Sequence, residues 1–426
     1  MRRAFTTLAA LVALAALHPA LARADEPPPL AITHATVYVP GGKRPLDDAT
    51  VVIDKGKIVS VTDASAALPP GALVLDSHGK SVTAGFIDAD ADLGAVEFPS
   101  ERVSNDLDAR GLLHPALRMF DAYNPRSRAI PVVRDTGVTS VVVAPRWGVL
   151  AGQSAFADLA GDTQAEAVVR PSLASYARAD EIEAQALGTR GGLWMTLRQA
   201  VDDARFYGAH RAQYDANGAR ALSLPRLDLE ALQPVLRGEQ PLVVTVHRAS
   251  DIEGALRFAV EQKIKIVLRG ASEAWLLADD IARAHVPVIL DPFEDLPAAF
   301  DRLRSRSDNA ALLAAAGVSV AISTLGSHEE RSLVQRAGNA VRLGMDHDAA
   351  IRAVTEAPAD AFGLKDYGRL QAGAVANVVV WSGDPLQIGS RAEHVFIRGH
   401  EQPLETRQTL LLNRYRTLPF AHDGKH

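Results

Sequence analysis

A change of hydrophobic period along the chain constrains its fold more than any other feature. Residues 31–83 alternate in period two: Ile32, Val37 and Val39, then Thr50-Val51-Val52-Ile53, Lys57-Ile58-Val59-Ser60-Val61 and Leu73-Val74-Leu75. Gly41-Gly42, Gly56, Pro69-Pro70-Gly71 and Gly79 separate these runs. Short alternating runs between Gly/Pro turns are the signature of strands in a small sheet. The same texture returns in Ala376-Asn377-Val378-Val379-Val380-Trp381 and in Val395-Phe396-Ile397-Arg398-Gly399. The two ends are therefore expected to pair as a composite β-sandwich domain, residues 25–83 with 365–426.

Between the ends, strands alternate with helical patterns. Candidate strands are 85–89, 139–144, 154–159, 167–171, 242–247, 264–268, 286–290 and 318–323. Helical patterns at 251–261, 272–284, 308–316 and 347–356 separate many of them. Eight parallel-type strands over residues 84–364 predict an α/β fold, a (β/α)₈ TIM-like barrel. The fourth strand is the least defined, because residues 173–240 read as a long, partly helical insertion. A doubly wound sheet is the alternative, but no Gly-rich phosphate loop follows any candidate strand.

Composition narrows the chemistry. The 426 residues are 47% hydrophobic and 23% charged, with no Cys, which removes thiolate nucleophiles and every Cys-based metal site. A net charge of -6 argues against nucleic acid as a partner. Thirteen histidines leave a His/carboxylate metal site open by composition. Arg2-Arg3, an Ala/Leu-rich run and Ala22-Arg23-Ala24 read as a secretory signal peptide over residues 1–24, either general or twin-arginine. The mature chain is then expected in the periplasm or secreted, with no membrane span.

Four stretches together resemble the amidohydrolase superfamily, near its imidazolonepropionase-like and periplasmic members. They are Ile53-Asp54-Lys55-Gly56-Lys57-Ile58, Ser81-Val82-Thr83-Ala84-Gly85-Phe86-Ile87-Asp88-Ala89, Thr355-Glu356-Ala357-Pro358-Ala359, and 368–377 with Gly383-Asp384-Pro385-Leu386. Ala84 stands where a proline is usual. The resemblance implies a hydrolase acting on non-peptide or cyclic carbon–nitrogen bonds, with one or two divalent metals at the C-terminal mouth of the barrel. It also implies ligands from a His-x-His pair on strand 1, Lys or Glu on strand 4, His on strands 5 and 6, and Asp on strand 8. Dimerisation is a further expectation from the family.

Position by position, that ligand set is largely replaced. Asp90 and Asp92 occupy the His-x-His positions, two apart and so on one strand face if the register holds. No lysine lies between Lys80 and Lys263, which rules out a carboxylated-lysine bridge. His247 ends the fifth strand as the surviving ligand candidate, Arg269 takes the sixth-strand position, and Leu325 stands where the catalytic Asp belongs. One His with two carboxylates suits a hard cation such as Mn²⁺ or Mg²⁺ better than Zn²⁺. Arg269 opposes any such ion. A unit charge about 6 Å from a +2 ion costs roughly 5 kcal/mol at an effective dielectric of about 20. The same guanidinium attracts Asp90 and Asp92, so an Arg–Asp cluster is expected where the metal would sit.

Asp90, Asp92, His247 and Arg269 are thus the catalytic candidates, and Gln153, Thr324 and His328 the substrate-binding ones. The expected cofactor is none, with a Zn or Mn ion on Asp90, Asp92 and His247 as the lesser alternative. A Ser–His–Asp set drawn from Ser323 or Ser327, His247 or His328, and Asp92 lacks a nucleophile-elbow motif. The Asp92 and Glu97 pair carries no more than its spacing. Arg126-Ser127-Arg128 and Glu329-Glu330-Arg331 read as solvated faces. Two functions remain open: a C–N hydrolase with an altered metal site, or an inactive barrel that binds a small ligand or a partner protein.

Overall fold

The computed structural model describes residues 28–39, 41, 44–107, 109–326 and 330–416. The signal-peptide segment and His328 lie outside them. Along the chain come β1 (Leu30–Val37), β2 (Leu46–Asp54), β3 (Lys57–Asp63), β4 (Leu73–Asp76) and β5 (Ser81–Ala84). They are followed by β6 (Phe86–Ala91), β7 (Val138–Val143), β8 (Leu150–Gln153), β9 (Ala155–Asp158), β10 (Val168–Arg170) and β11 (Ser175–Arg178). Then come β12 (Leu242–Val246), β13 (Ile266–Gly270), β14 (Val288–Leu290), β15 (Val320–Ile322), β16 (Val378–Trp381), β17 (Ala392–Ile397) and β18 (His400–Glu401).

The two ends of the chain share one sheet, ordered β18-β17-β16-β5-β1-β2-β3, with β4 on β1. The join is β16 against β5, antiparallel with Val378 opposite Ala84 and Trp381 opposite Ser81. Ile32, Val51, Ile53, Val82, Val378, Val380 and Phe396 pack together as this sheet's buried core. Alternate residues point to opposite faces, so one row of each run enters this core, while in β2, β5 and β16 the other row is buried as well.

In the middle of the chain, β6 pairs in parallel with β7, and β11 through β15 pair in parallel in sequence order. Burial here is two-sided. Val244, Leu268, Leu290 and Ile322 join one cluster with helix residues such as Ile252, Phe258 and Leu313. Val243, Val267, Ile289 and Ala321 join a second cluster, which also holds Ile87 and Ala89 of β6. Parallel strands covered on both faces are continuous apolar runs for this reason. The 14-residue helix Ala249–Gln262 between β12 and β13 turns Ile252, Ala255 and Phe258 inward at helical spacing.

Two expectations need correction. Residues 154–159 and 167–171 are strands but not parallel ones. β9 folds back antiparallel on β7, with Val143 opposite Ala155, and β10 pairs antiparallel with β9. Period-two burial carries no strand direction, so the pattern alone does not separate the two cases. The second correction lies inside 173–240, where β11 pairs in parallel with β12. The helix Arg190–Ala209 supplies most of the helical character expected there.

A buried polar joint ties the two regions together. Asp158, at the end of β9, accepts hydrogen bonds from Ser140 Oγ (2.8 Å), Asn377 Nδ2 (2.9 Å), Tyr367 Oη (3.1 Å) and Arg398 Nε (2.6 Å). No helix among the described residues is long and apolar enough to cross a membrane.

Candidate functional site

Strand direction fixes where chemistry collects. The inward row Val243, Thr245 continues by period two to His247, just past the end of β12. The row through Val267 continues to Arg269 near the end of β13. Both side chains therefore stand at the C-terminal ends of parallel strands, where functional residues gather in such folds.

Asp90, on β6, is fully buried and held by two guanidiniums. Arg269 grips it as a fork, Nε to Oδ2 at 2.9 Å and Nη2 to Oδ1 at 3.1 Å, and Arg146 donates to Oδ1 from the loop after β7. Burial alone would raise the Asp90 pKa, but the charges of Arg146 and Arg269 override it and hold the carboxyl below its usual range. Arg269 also donates to the Leu325 carbonyl at 3.1 Å. Leu325 sits at φ 54° and Gly326 at φ 70°. A Cβ on Gly326 would overlap the Arg146 guanidinium, so this position needs glycine for Arg146 to reach Asp90.

His247 is 1% exposed and its ring is bonded at both nitrogens. Nδ1 lies 2.8 Å from Ser272 Oγ, and Nε2 lies 3.0 Å from Arg302 Nη2. A guanidinium only donates, so Nε2 is the acceptor and Nδ1 carries the proton that goes to Ser272. Burial, then the charges of Arg302, Arg269 and Arg178, push the imidazole pKa well below its ordinary value. The ring is neutral. Gly270, at φ 80°, makes room for it, since a Cβ there would strike the imidazole.

Asp92 does not join Arg269. The β6/β7 register breaks between Asp88 and Ala91, so the alternation that would set Asp92 beside Asp90 is lost. Its backbone N–H instead donates to Glu330 Oε1 at 3.3 Å. Burial first, and then the neighbouring Asp92 carboxyl, push the Glu330 pKa well up. Asp88 takes the hydroxyls that follow β15: Thr324 Oγ1 at 2.5 Å, together with Ser323 Oγ. Thr324 is thus committed to Asp88. The Gln153 amide is likewise taken, donating to the Pro115 carbonyl at 3.0 Å and accepting from Ser172 Oγ at 2.6 Å.

The structure therefore brings together Asp90, Arg269 and His247, and leaves Asp92, Thr324 and Gln153 in separate polar groups. Sequence reasoning missed Arg146, Arg302, Arg178 and Glu330. Arg178, on β11, donates to Asp180 and to the Arg146 carbonyl (3.0 Å), with its guanidinium 4.5 Å from the centroid of the Trp147 ring. Arg146 had a usable signal, an arginine just past the end of a strand. Arg302, in the loop after β14, had none. Among the described residues, no three His, Asp or Glu side chains are grouped as a metal ion would need.

The family model for the amidohydrolase family matches residues 238–406, which run from β12 through the return into the terminal sheet. An amidohydrolase from Thermotoga maritima MSB8 superposes with a TM-score of 0.80 and 25% identity, covering 87% of this chain and 99% of that one. Over residues 238–406, and in its fold, the chain is similar to the amidohydrolase family. The amidohydrolase tasK of Hapsidospora irregularis is 24% identical over 387 residues, 83% of this chain but 39% of that relative's length. Molinate hydrolase shares the fold, with a TM-score of 0.56 at 17% identity, covering 89% of this chain and 95% of that one.

Proposed function

We propose that this protein is an exported amidohydrolase-superfamily barrel, of the hydrolase lineage acting on amide and cyclic C–N bonds, whose mouth binds a small molecule of that class without a resident metal. One observation carries the reading: the His247 Nε2 lone pair, the one a metal would need, accepts from Arg302. The rest of the donor set agrees. Both Asp90 oxygens are spent on guanidiniums, and Arg146, Arg178, Arg269 and Arg302 fill the region with positive charge. A divalent cation does not fit that donor set. The barrel is taken as closed, supported by the inner cluster shared by β6 and β12–β15 and by Ser323 Oγ donating to the Asp90 carbonyl at 3.0 Å. Residues 1–24 are taken as the export signal on the sequence pattern above. A homodimer is the assembly that the family resemblance suggests.

Elemental analysis of the mature protein, purified after growth with zinc and manganese, tests this. The expected result is far less than one metal per chain in wild type and in Arg302→Gln alike. About one metal per chain, lost in His247→Ala, overturns it.

A second reading, metal-independent hydrolysis, rests on Glu330. Burial and the neighbouring Asp92 carboxyl raise the Glu330 pKa, which suits this carboxyl to the role of general acid. Turnover of cyclic amides by metal-stripped protein, abolished in Glu330→Gln, is its expected signature.

A further inference from the structure

Three segments far apart in sequence bring arginines to one cavity of about 480 Å³. Arg126 and Arg128 precede the helix Ile130–Arg134, Arg331 lies in the turn Glu330–Ser332, and Arg407 opens the helix Arg407–Tyr415. All four are exposed, and among the described residues none is in an ion pair. Arg126 feels the charge of Glu166, whose carboxylate is engaged by the Asp162 and Thr163 N–H groups at 2.9 and 3.1 Å. Two carboxyls also line the cavity. Glu97 is held by Asn124 Nδ2 (2.8 Å) and Ser127 Oγ (3.0 Å), and Glu330 accepts from the Asp92 N–H. Four guanidiniums against two carboxyls leave an excess of at least two positive charges, in a concave site where such fields are focused. The wall between them is apolar, with Val132, Val133 and Phe98, the last 65% exposed.

Arginines gathered on one solvated face repel each other, and among the described residues none of these four is in an ion pair. A ligand with separated anionic groups neutralises them while burying an apolar body on Phe98. We propose that this cavity binds a small molecule carrying two or more carboxylate or phosphate groups around an apolar body, held by Arg126, Arg128, Arg331 and Arg407. The cavity shares Glu330 with the second reading above, but the proposal rests on the four arginines and not on the Asp90–His247 network.

Calorimetric titration of the full mature chain at low salt tests it with isophthalate, inorganic pyrophosphate and benzoate as probes. Isophthalate is expected to bind one per chain and about tenfold or more tighter than benzoate, which has one charge fewer. Raising NaCl weakens it, as screening of exposed charges requires. Pyrophosphate tighter than isophthalate assigns the natural ligand to the phosphates, and the reverse order to the carboxylates. Arg128→Gln and Arg407→Gln are each expected to weaken binding by about tenfold, and together by about a hundredfold, while Arg302→Gln leaves it unchanged. These arginines are exposed, so the fold is not at risk. Isophthalate binding no tighter than benzoate overturns the proposal, as does an Arg128→Gln/Arg407→Gln double variant that binds like wild type. Loss of binding in Arg302→Gln alone moves the ligand to the mouth and overturns it as well.

Discussion

Asp90 and Asp158 are both fully buried carboxylates and both meet arginine, yet the company they keep differs. Asp158 has three neutral donors and one guanidinium, Arg398, whose side chain is 41% exposed and remains hydrated. Asp90 has two guanidiniums, on side chains 11% and 13% exposed. Their places differ as well. Asp158 lies opposite Ser140 near the start of β7, whereas β6 and β7 pair as far as Ala91 and Val143 at the other end. One face carries a joint built mainly of neutral groups and the other a crowd of charges. In (β/α)₈ barrels, residues at the N-terminal ends of the strands mainly serve stability and those at the C-terminal ends carry function. Hydrogen-bonded neutral donors fix geometry at modest cost, whereas desolvated charges are kept only while every partner is present.

Removing each aspartate breaks that comparison most directly. Asp90→Ala strands Arg146 and Arg269, and the expected loss is about 3–5 kcal/mol. Asp158→Ala leaves neutral groups and an arginine that reaches water, with an expected loss of about 2 kcal/mol. Urea unfolding of both variants measures the difference. Equal losses would show that the second guanidinium at Asp90 adds nothing.

How far the sequence leads depends on the same contrast. Asp90, His247 and Arg269 are legible because each sits at a strand end that an apolar run marks. The sharing of one sheet by both chain ends is legible because period-two runs leave a face to be covered. The pairing of Asp92 is not legible, since it turns on a register break two residues long that no side-chain pattern announces. Glu330 hides in a charged run that reads as solvated, and its burial comes from a contact 238 residues away. β11 escapes because Ser175-Tyr176-Ala177-Arg178 is short and half polar. The direction of β9 escapes because alternation is the same in parallel and antiparallel strands.

A smaller effect sharpens the comparison between the charged mouth and the terminal sheet through two glycines of similar backbone. Gly326 at φ 70° abuts Arg146, whereas Gly79 at φ 75° has nothing within 4 Å of the place its Cβ would take. Alanine at either site meets the left-handed backbone cost, about 1 kcal/mol. Only Gly326→Ala must also push a guanidinium off a buried carboxylate, for an expected total of about 2–3 kcal/mol. Matching melting temperatures for the two variants would mean that Arg146 moves freely and does not lock Asp90.

The finest test uses pH, because the mouth holds a neutral imidazole among cations. His247 has a folded pKa well below 6.5, its ordinary value. Below pH 6.5 the unfolded chain takes up a proton that the folded chain refuses. The stability this group contributes is therefore complete above pH 6.5 and is lost as pH falls toward the folded pKa. The slope of that loss reaches at most about 1.4 kcal/mol per pH unit. His247→Gln keeps an acceptor for Arg302 but does not titrate, so its unfolding free energy should fall less between pH 6 and 5 than that of wild type. Parallel profiles would mean that the imidazole is already charged in the fold. Arg302 would then have no acceptor at Nε2, and the contact that closes this position to a metal would be gone.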